Sequence, residues 1–148
     1  MSVLRHLDYP PVWLVGHMLV AQFMADVWAP LGDWGVVPGW VLILGGLGLM
    51  GWAGLAFQKA ATTIVPHREP SALVETGPYR WSRNPIYLAD LVILAGWALL
   101  LGAPAALVLL GPLYVVLTTR FVLKEEALLT DRLGEAYTAY RARVPRWI

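Results

Sequence analysis

The chain contains no cysteine. That excludes disulfides, a thiol nucleophile and cysteine-ligated metal centres. Charge is scarce as well: 14% of the 148 residues are Asp, Glu, Lys or Arg, where a soluble domain carries roughly 25%. The net charge of +1 offers no basic surface for nucleic acid. His6, His17 and His67 are the only histidines, and no His-x-x-x-His or Glu-x-x-His spacing joins them, so no metal site is expected. Walker A and nucleophile-elbow patterns are missing too, and the one GxGxxG, Gly46 to Gly51, lies inside an apolar run rather than between a strand and a helix, so no Rossmann-type cofactor fold is expected.

What is present is hydrocarbon. Residues of the apolar class make up 58% of the sequence, with eight tryptophans suited to anchoring at two membrane interfaces. The expected fold is an all-α integral membrane protein, one domain over residues 1–148. Four transmembrane helices are expected at about residues 11–29, 36–57, 85–101 and 105–121, near the ~20 residues a span requires. A retained first helix is expected rather than a cleaved signal: the apolar run is too long, and Asp26 and Trp28 sit where small neutral residues are wanted.

Polar residues inside the first span, His17 and Gln22, are expected to hydrogen-bond a neighbouring helix, and Asp26 to lie hydrated at an interface. In the second span, Gly45, Gly48, Gly51 and Gly54 recur every third residue and predict a strip for close helix packing. Beyond residue 122 the apolar positions, among them Leu129, Leu133, Tyr137 and Tyr140, follow a helical period. They predict an amphipathic helix over residues 122–144 on the membrane surface, broken near Gly134.

Every Lys and Arg precedes the first span, lies between spans two and three, or sits at or beyond the end of span four, Arg120 being the first of these. The hairpins near Asp33 and Gly102 have none. Both termini and the long 60–84 loop are therefore expected in the cytoplasm, as in a multi-pass protein of a bacterial-type inner membrane.

That side carries two polar clusters. One is Leu73-Val74-Glu75-Thr76-Gly77-Pro78-Tyr79-Arg80-Trp81-Ser82-Arg83-Asn84-Pro85-Ile86-Tyr87, rich in cationic and aromatic donors and punctuated by turn-forming prolines. It suits a small polar anion at a membrane surface, or equally a basic loop that only sets topology. The other is Arg120 with Glu125 and Glu126. Adjacent glutamates project about 100° apart on a helix, so the two serve different partners, one a pocket and the other solvent or an arginine.

Together with Leu133-Gly134-Glu135-Ala136-Tyr137-x-x-Tyr140-x-x-x-Val144-Pro145, these clusters closely resemble the isoprenylcysteine carboxyl methyltransferase and phospholipid methyltransferase superfamily. The resemblance covers roughly the C-terminal half, from about Thr62 onwards. It implies S-adenosylmethionine as cofactor at the cytoplasmic face and a lipophilic small-molecule or phospholipid acceptor entering from the bilayer. By position it implies that Ser71, Ala72, Leu73, Val74 and Tyr79 line the cofactor site with Asn84, Pro85, Ile86, Tyr87 and Glu125.

Arg80 or Arg83 is expected to pair the cofactor carboxylate, and Arg120 to face the acceptor. The family's Arg-His-Pro-x-Tyr stands here as Arg83-Asn84-Pro85-Ile86-Tyr87, which removes a titratable imidazole. An amine acceptor would need a base, for which Asp90, Glu126 and His67 are the candidates. Carboxylate and thiolate acceptors need none. Homo-oligomers are compatible with all of this. The rival reading is a non-catalytic four-helix scaffold or transporter subunit that keeps the fold.

Overall fold

The computed structural model describes residues 8–27, 32–59 and 73–148, all helix, turn or irregular chain with no strand among them. Helix α1 (Pro10–Val27) opens on two prolines, whose missing N–H groups cost nothing in a first turn. Its polar side chains stay on their own helix: His17 Nδ1 lies 2.7 Å from the Trp13 carbonyl, and Gln22 donates to Asp26 at 3.0 Å. The expected interhelical role is thus replaced by local bonds, with Asp26 exposed. The tie from α1 to the next helix but one comes from Trp97, whose indole N–H donates to the Met18 carbonyl.

A 3-10 turn (Asp33–Gly35) leads into α2 (Val36–Lys59), and α3 (Pro85–Leu100) packs along it. A Cβ at Gly39 would lie 2.8 Å from the Gly96 carbonyl, and one at Gly96 2.7 Å from the Gly39 carbonyl. The two backbones therefore touch. The buried residues of α2 are Gly39, Gly46 and Ala53, seven apart, and Ala56 about one turn further on. The expected strip is not this face: a Cβ added at Gly45, Gly48 or Gly51 would meet nothing within 4 Å. A period of three drifts around a helix of 3.6 residues per turn, whereas steps of seven stay on one side.

Helix α3 ends in a Schellman motif. Gly102 takes φ 64°, Gly102 N–H donates to the Leu99 carbonyl and Ala103 N–H to the Ala98 carbonyl. Small residues then close this end of the bundle: Ala21, Ala25, Ala98, Ala103 and Ala106 form one cluster.

The last part of the chain is a continuous helical run, Pro104–Arg143. It comprises a 3-10 start, α4 (Leu110–Leu117), a π-helical turn (Thr118–Val122) and α5 (Leu123–Arg143). The expected fourth span and surface helix thus join without a loop, through a π turn of the kind often found beside functional sites. Gly134 breaks α5 at φ 52°, ψ −119°, a conformation open to glycine. The runs Asp33–Lys59 and Pro104–Arg143 are long and apolar enough to cross a membrane, and Pro85–Leu100 is a shorter apolar helix. Large apolar side chains face outward on them, including Val37, Leu44, Leu47 and Val115, a surface suited to lipid.

Candidate active site

At the bundle end opposite the alanine cluster, the chain from Leu73 to Asn84 folds back onto α2. Gly77, at φ 62°, lies so close that a Cβ would meet Trp52 Nε1 at 3.1 Å. The 3-10 turn Gly77–Arg80 follows, with Pro78 in its first positions. Val74 and Tyr79 are thereby buried against Ala53 and Ala56, and Tyr79 packs edge-on to Phe57 with ring centres 5.3 Å apart. Trp81 makes a similar contact with Trp52.

The C-terminal segment covers this loop from the other side. Arg83 N–H donates to the Pro145 carbonyl at 3.0 Å, and the Asn84 side-chain amide to the Arg146 carbonyl at 2.9 Å. Tyr140 donates its hydroxyl to the Tyr79 carbonyl at 2.8 Å. Asn84 thus spends its amide on holding chain to chain. Pro85, fully buried, starts α3 and sets the register that follows.

The two glutamates diverge as their helical spacing requires. Glu126 is gripped by two arginines: Arg83 Nη1 donates to Oε1 at 2.8 Å, while Arg146 donates Nε to Oε1 and Nη2 to Oε2, each at 2.8 Å. Arg83 also reaches the Tyr137 hydroxyl at 3.3 Å. Glu125 instead accepts a 2.5 Å hydrogen bond from the Tyr87 hydroxyl. Burial pushes the Glu125 carboxyl up to about 7, an effect the Tyr87 hydrogen bond opposes. Burial, with the Glu125 charge second, likewise raises the Tyr79 phenol above its usual range.

These elements enclose a cavity of about 390 Å³, within the range of small-molecule sites. The loop contributes Leu73, Val74, Tyr79, Arg83 and Asn84, and α3 contributes Ile86, Tyr87 and Asp90. From α5 come Glu125, Glu126, Leu129, Tyr137 and Tyr140. Asp90 is 1% exposed, and among the described residues its Oδ2 has no hydrogen-bond partner. Arg83 Nε is also buried without one.

Most of the residues singled out in the sequence therefore converge on one wall. Ser71, Ala72 and His67 lie outside the described residues. Arg120 is not among the residues lining the cavity. Its side chain is 46% exposed, pairs with Asp8 at 3.4 Å and lies over the Trp13 ring at 5.1 Å. Other lining residues carry no mark in the sequence: Tyr9, Pro10 and Pro11 from the start of α1, and Met50 and Phe57 from α2. Nothing in their spacing distinguishes them, since a helix end becomes a wall only through its neighbours. Tyr137 and Tyr140 did carry a signal, as aromatics three residues apart in the segment that accompanies the loop motif.

No curated protein matches the chain. A family model described as phospholipid methyltransferase matches residues 34–136. The match begins before α2, well upstream of Thr62, and takes in the loop, α3 and both glutamates. With that span, more than half of the sequence, the chain belongs to the phospholipid methyltransferase family.

Proposed function

We propose that the cavity binds S-adenosylmethionine and that the protein transfers its methyl group to a lipophilic acceptor at the cytoplasmic membrane face. The family acts by methyl transfer on lipid-like membrane substrates. The observation that carries the reading is Glu125, a carboxylate fixed by Tyr87 on the wall of a largely apolar, aromatic-rich cavity.

The residues present fit such a ligand. Glu125 accepts hydrogen bonds from ribose hydroxyls or an ammonium. Arg83 holds a buried Nε without a partner, free to meet a carboxylate. Asp90 offers an unpaired oxygen, and Tyr79 and Tyr140 offer faces for a ring. When bound, the cofactor supplies an electrophilic methyl on a sulfonium. The protein's own part is to orient and to exclude water, because an in-line displacement is accelerated chiefly by alignment. Ile86, Leu129 and Met50 supply the dry wall. For an amine acceptor, Asp90 is the wall carboxylate with a free oxygen to take the proton. Glu126, bound by Arg83 and Arg146, serves instead to hold the loop.

The membrane arrangement we propose has four spans, α1, α2, α3 and the apolar part of residues 105–121, with both termini cytoplasmic. Lys59, Arg80, Arg83, Arg120 and Lys124 belong to the cavity end, while the turns at Asp33 and Gly102 carry no basic residue.

The test is transfer of label from methyl-labelled S-adenosylmethionine into organic-extractable material in membranes containing the protein. Transfer above background, abolished in Glu125→Ala, is expected. Equal labelling by the variant would remove Glu125 from the reaction.

A further inference from the structure

Beyond α5, where the Val144 N–H closes on the Tyr140 carbonyl, the chain is irregular. Such a segment is held by its tethers rather than by a ladder of its own bonds. Several of them end on the cavity wall. The Arg83 N–H donates to the Pro145 carbonyl at 3.0 Å, and the Asn84 amide to the Arg146 carbonyl at 2.9 Å. The Arg146 side chain grips Glu126, which in turn fixes Arg83. Arg83, Asn84 and Glu126 all line the cavity, so the shape of that wall depends on where this segment lies.

What seats the segment is Trp147. Its ring centre lies 5.0 Å from that of Tyr114 on α4, with the planes inclined at 40°. It also packs against the core cluster that contains Tyr87, Leu113, Leu117 and Phe121. The indole Nε1 is buried, with no hydrogen-bond partner among the described residues. A buried donor left unpaired is unfavourable, so apolar area and ring contact hold Trp147 in place. Trp147 is not among the residues lining the cavity; it acts on a ligand only through its neighbours.

We infer that Trp147 is a positioning residue of the cavity: seated on Tyr114, it keeps Val144–Arg146 docked against the loop, and docking is coupled to ligand binding. The inference rests on the reading of the cavity as the S-adenosylmethionine site. The docked segment orders Arg83, Asn84 and Glu126 before a ligand arrives. Where it is undocked, the apparent affinity falls in proportion to the docked fraction. By reciprocity, a bound ligand holds the segment down.

The experiment combines calorimetric binding of S-adenosylhomocysteine with limited trypsin digestion of the detergent-purified protein. Cleavage is followed at the Arg143–Val144 bond, and its rate tracks the undocked population. Trp147→Ala is expected to bind at least about tenfold more weakly, as a docked fraction of about one tenth requires. It should be cut at least about tenfold faster, and saturating ligand should return the rate towards that of the wild type. Trp147→Phe keeps the ring and removes the unpaired donor, so its affinity should stay within about threefold of the wild type. Trp97→Ala, in the alanine cluster at the other end of the bundle, controls for general loss of stability and should change neither readout.

Wild-type affinity in Trp147→Ala, or an equal loss in Trp97→Ala, would overturn the inference. Cleavage of the wild type that saturating ligand does not slow would overturn it without any variant, so it stays testable if Trp147→Ala fails to fold. Absence of binding by the folded wild type would instead sink the cofactor reading beneath it.

Discussion

Arg146 and Glu126 meet through two parallel 2.8 Å hydrogen bonds, Nε to Oε1 and Nη2 to Oε2. This geometry suits a guanidinium and not an ammonium. It fastens the C-terminal segment to the start of α5, beside Glu125. Arg146→Met would leave Glu126 with Arg83 as the remaining cationic partner seen among the described residues. Because Arg146 is partly exposed, we expect a loss of about 1–2 kcal/mol in stability, read as a lower thermal midpoint in detergent, together with weaker cofactor binding. Arg146→Lys should rescue little of either. Arg141→Met, at an exposed position of the same helix, serves as the control. Unchanged cofactor affinity in Arg146→Met would confine the pair to stability.

The α2–α3 contact predicts a sharp contrast between glycines of one helix. Gly39→Val places a side chain against the backbone of Gly96 and Leu100, which cannot yield without moving α3. A loss of about 2 kcal/mol or more is expected. Gly48→Ala meets nothing within 4 Å and should be neutral or gain up to about 1 kcal/mol from helix propensity. Thermal unfolding of the two variants in one detergent decides it, and equal midpoints would contradict the packing described.

Glu125 gives a pH dependence with a definite sign. Burial raises its carboxyl to about 7 from the usual 4.5. Its ionisation therefore weighs against the fold as pH rises through that window. Ligand binding has the opposite sense, since a cationic cofactor favours the ionised form. Affinity should level off near pH 8 and fall by up to about tenfold per unit below about 7. Glu125→Gln should bind weakly with a shallower profile, Asp90 being the other carboxyl on the cavity wall. A wild-type profile flat from pH 6 to 8 would exclude Glu125 as the titrating group.

A cysteine-free chain is ready for accessibility mapping. Single cysteines at the exposed positions Asp33 and Ala105 should react with a membrane-impermeant thiol reagent from outside intact cells. Those at Lys124 and Ala142 should react after the membrane is opened. Labelling of Lys124→Cys from outside would invert the proposed orientation.

The helices were legible because apolar runs and prolines mark their limits. Asn84-Pro85 announces the start of α3, and the chain turns there. The divergence of Glu125 and Glu126 followed from helical spacing alone. The packing face of α2 was hidden, because in a span bound for lipid the outward side is as apolar as the inward one. Hydropathy cannot then distinguish Gly48 from Gly46. Arg146 was hidden for another reason: it reaches Glu126, 20 residues away, after the break at Gly134, and no periodic pattern extends across such a break. The Asp8–Arg120 pair depends likewise on the start of α1 meeting the π turn.

The most direct test of the proposed cofactor site is calorimetric titration of S-adenosylmethionine into purified, lipid-reconstituted protein and into Glu125→Ala. Micromolar binding by the wild type is expected, with affinity at least about tenfold lower in the variant, as loss of a charged hydrogen-bonding group requires. Failure of the folded wild type to bind, or equal binding by the variant, would contradict the assignment.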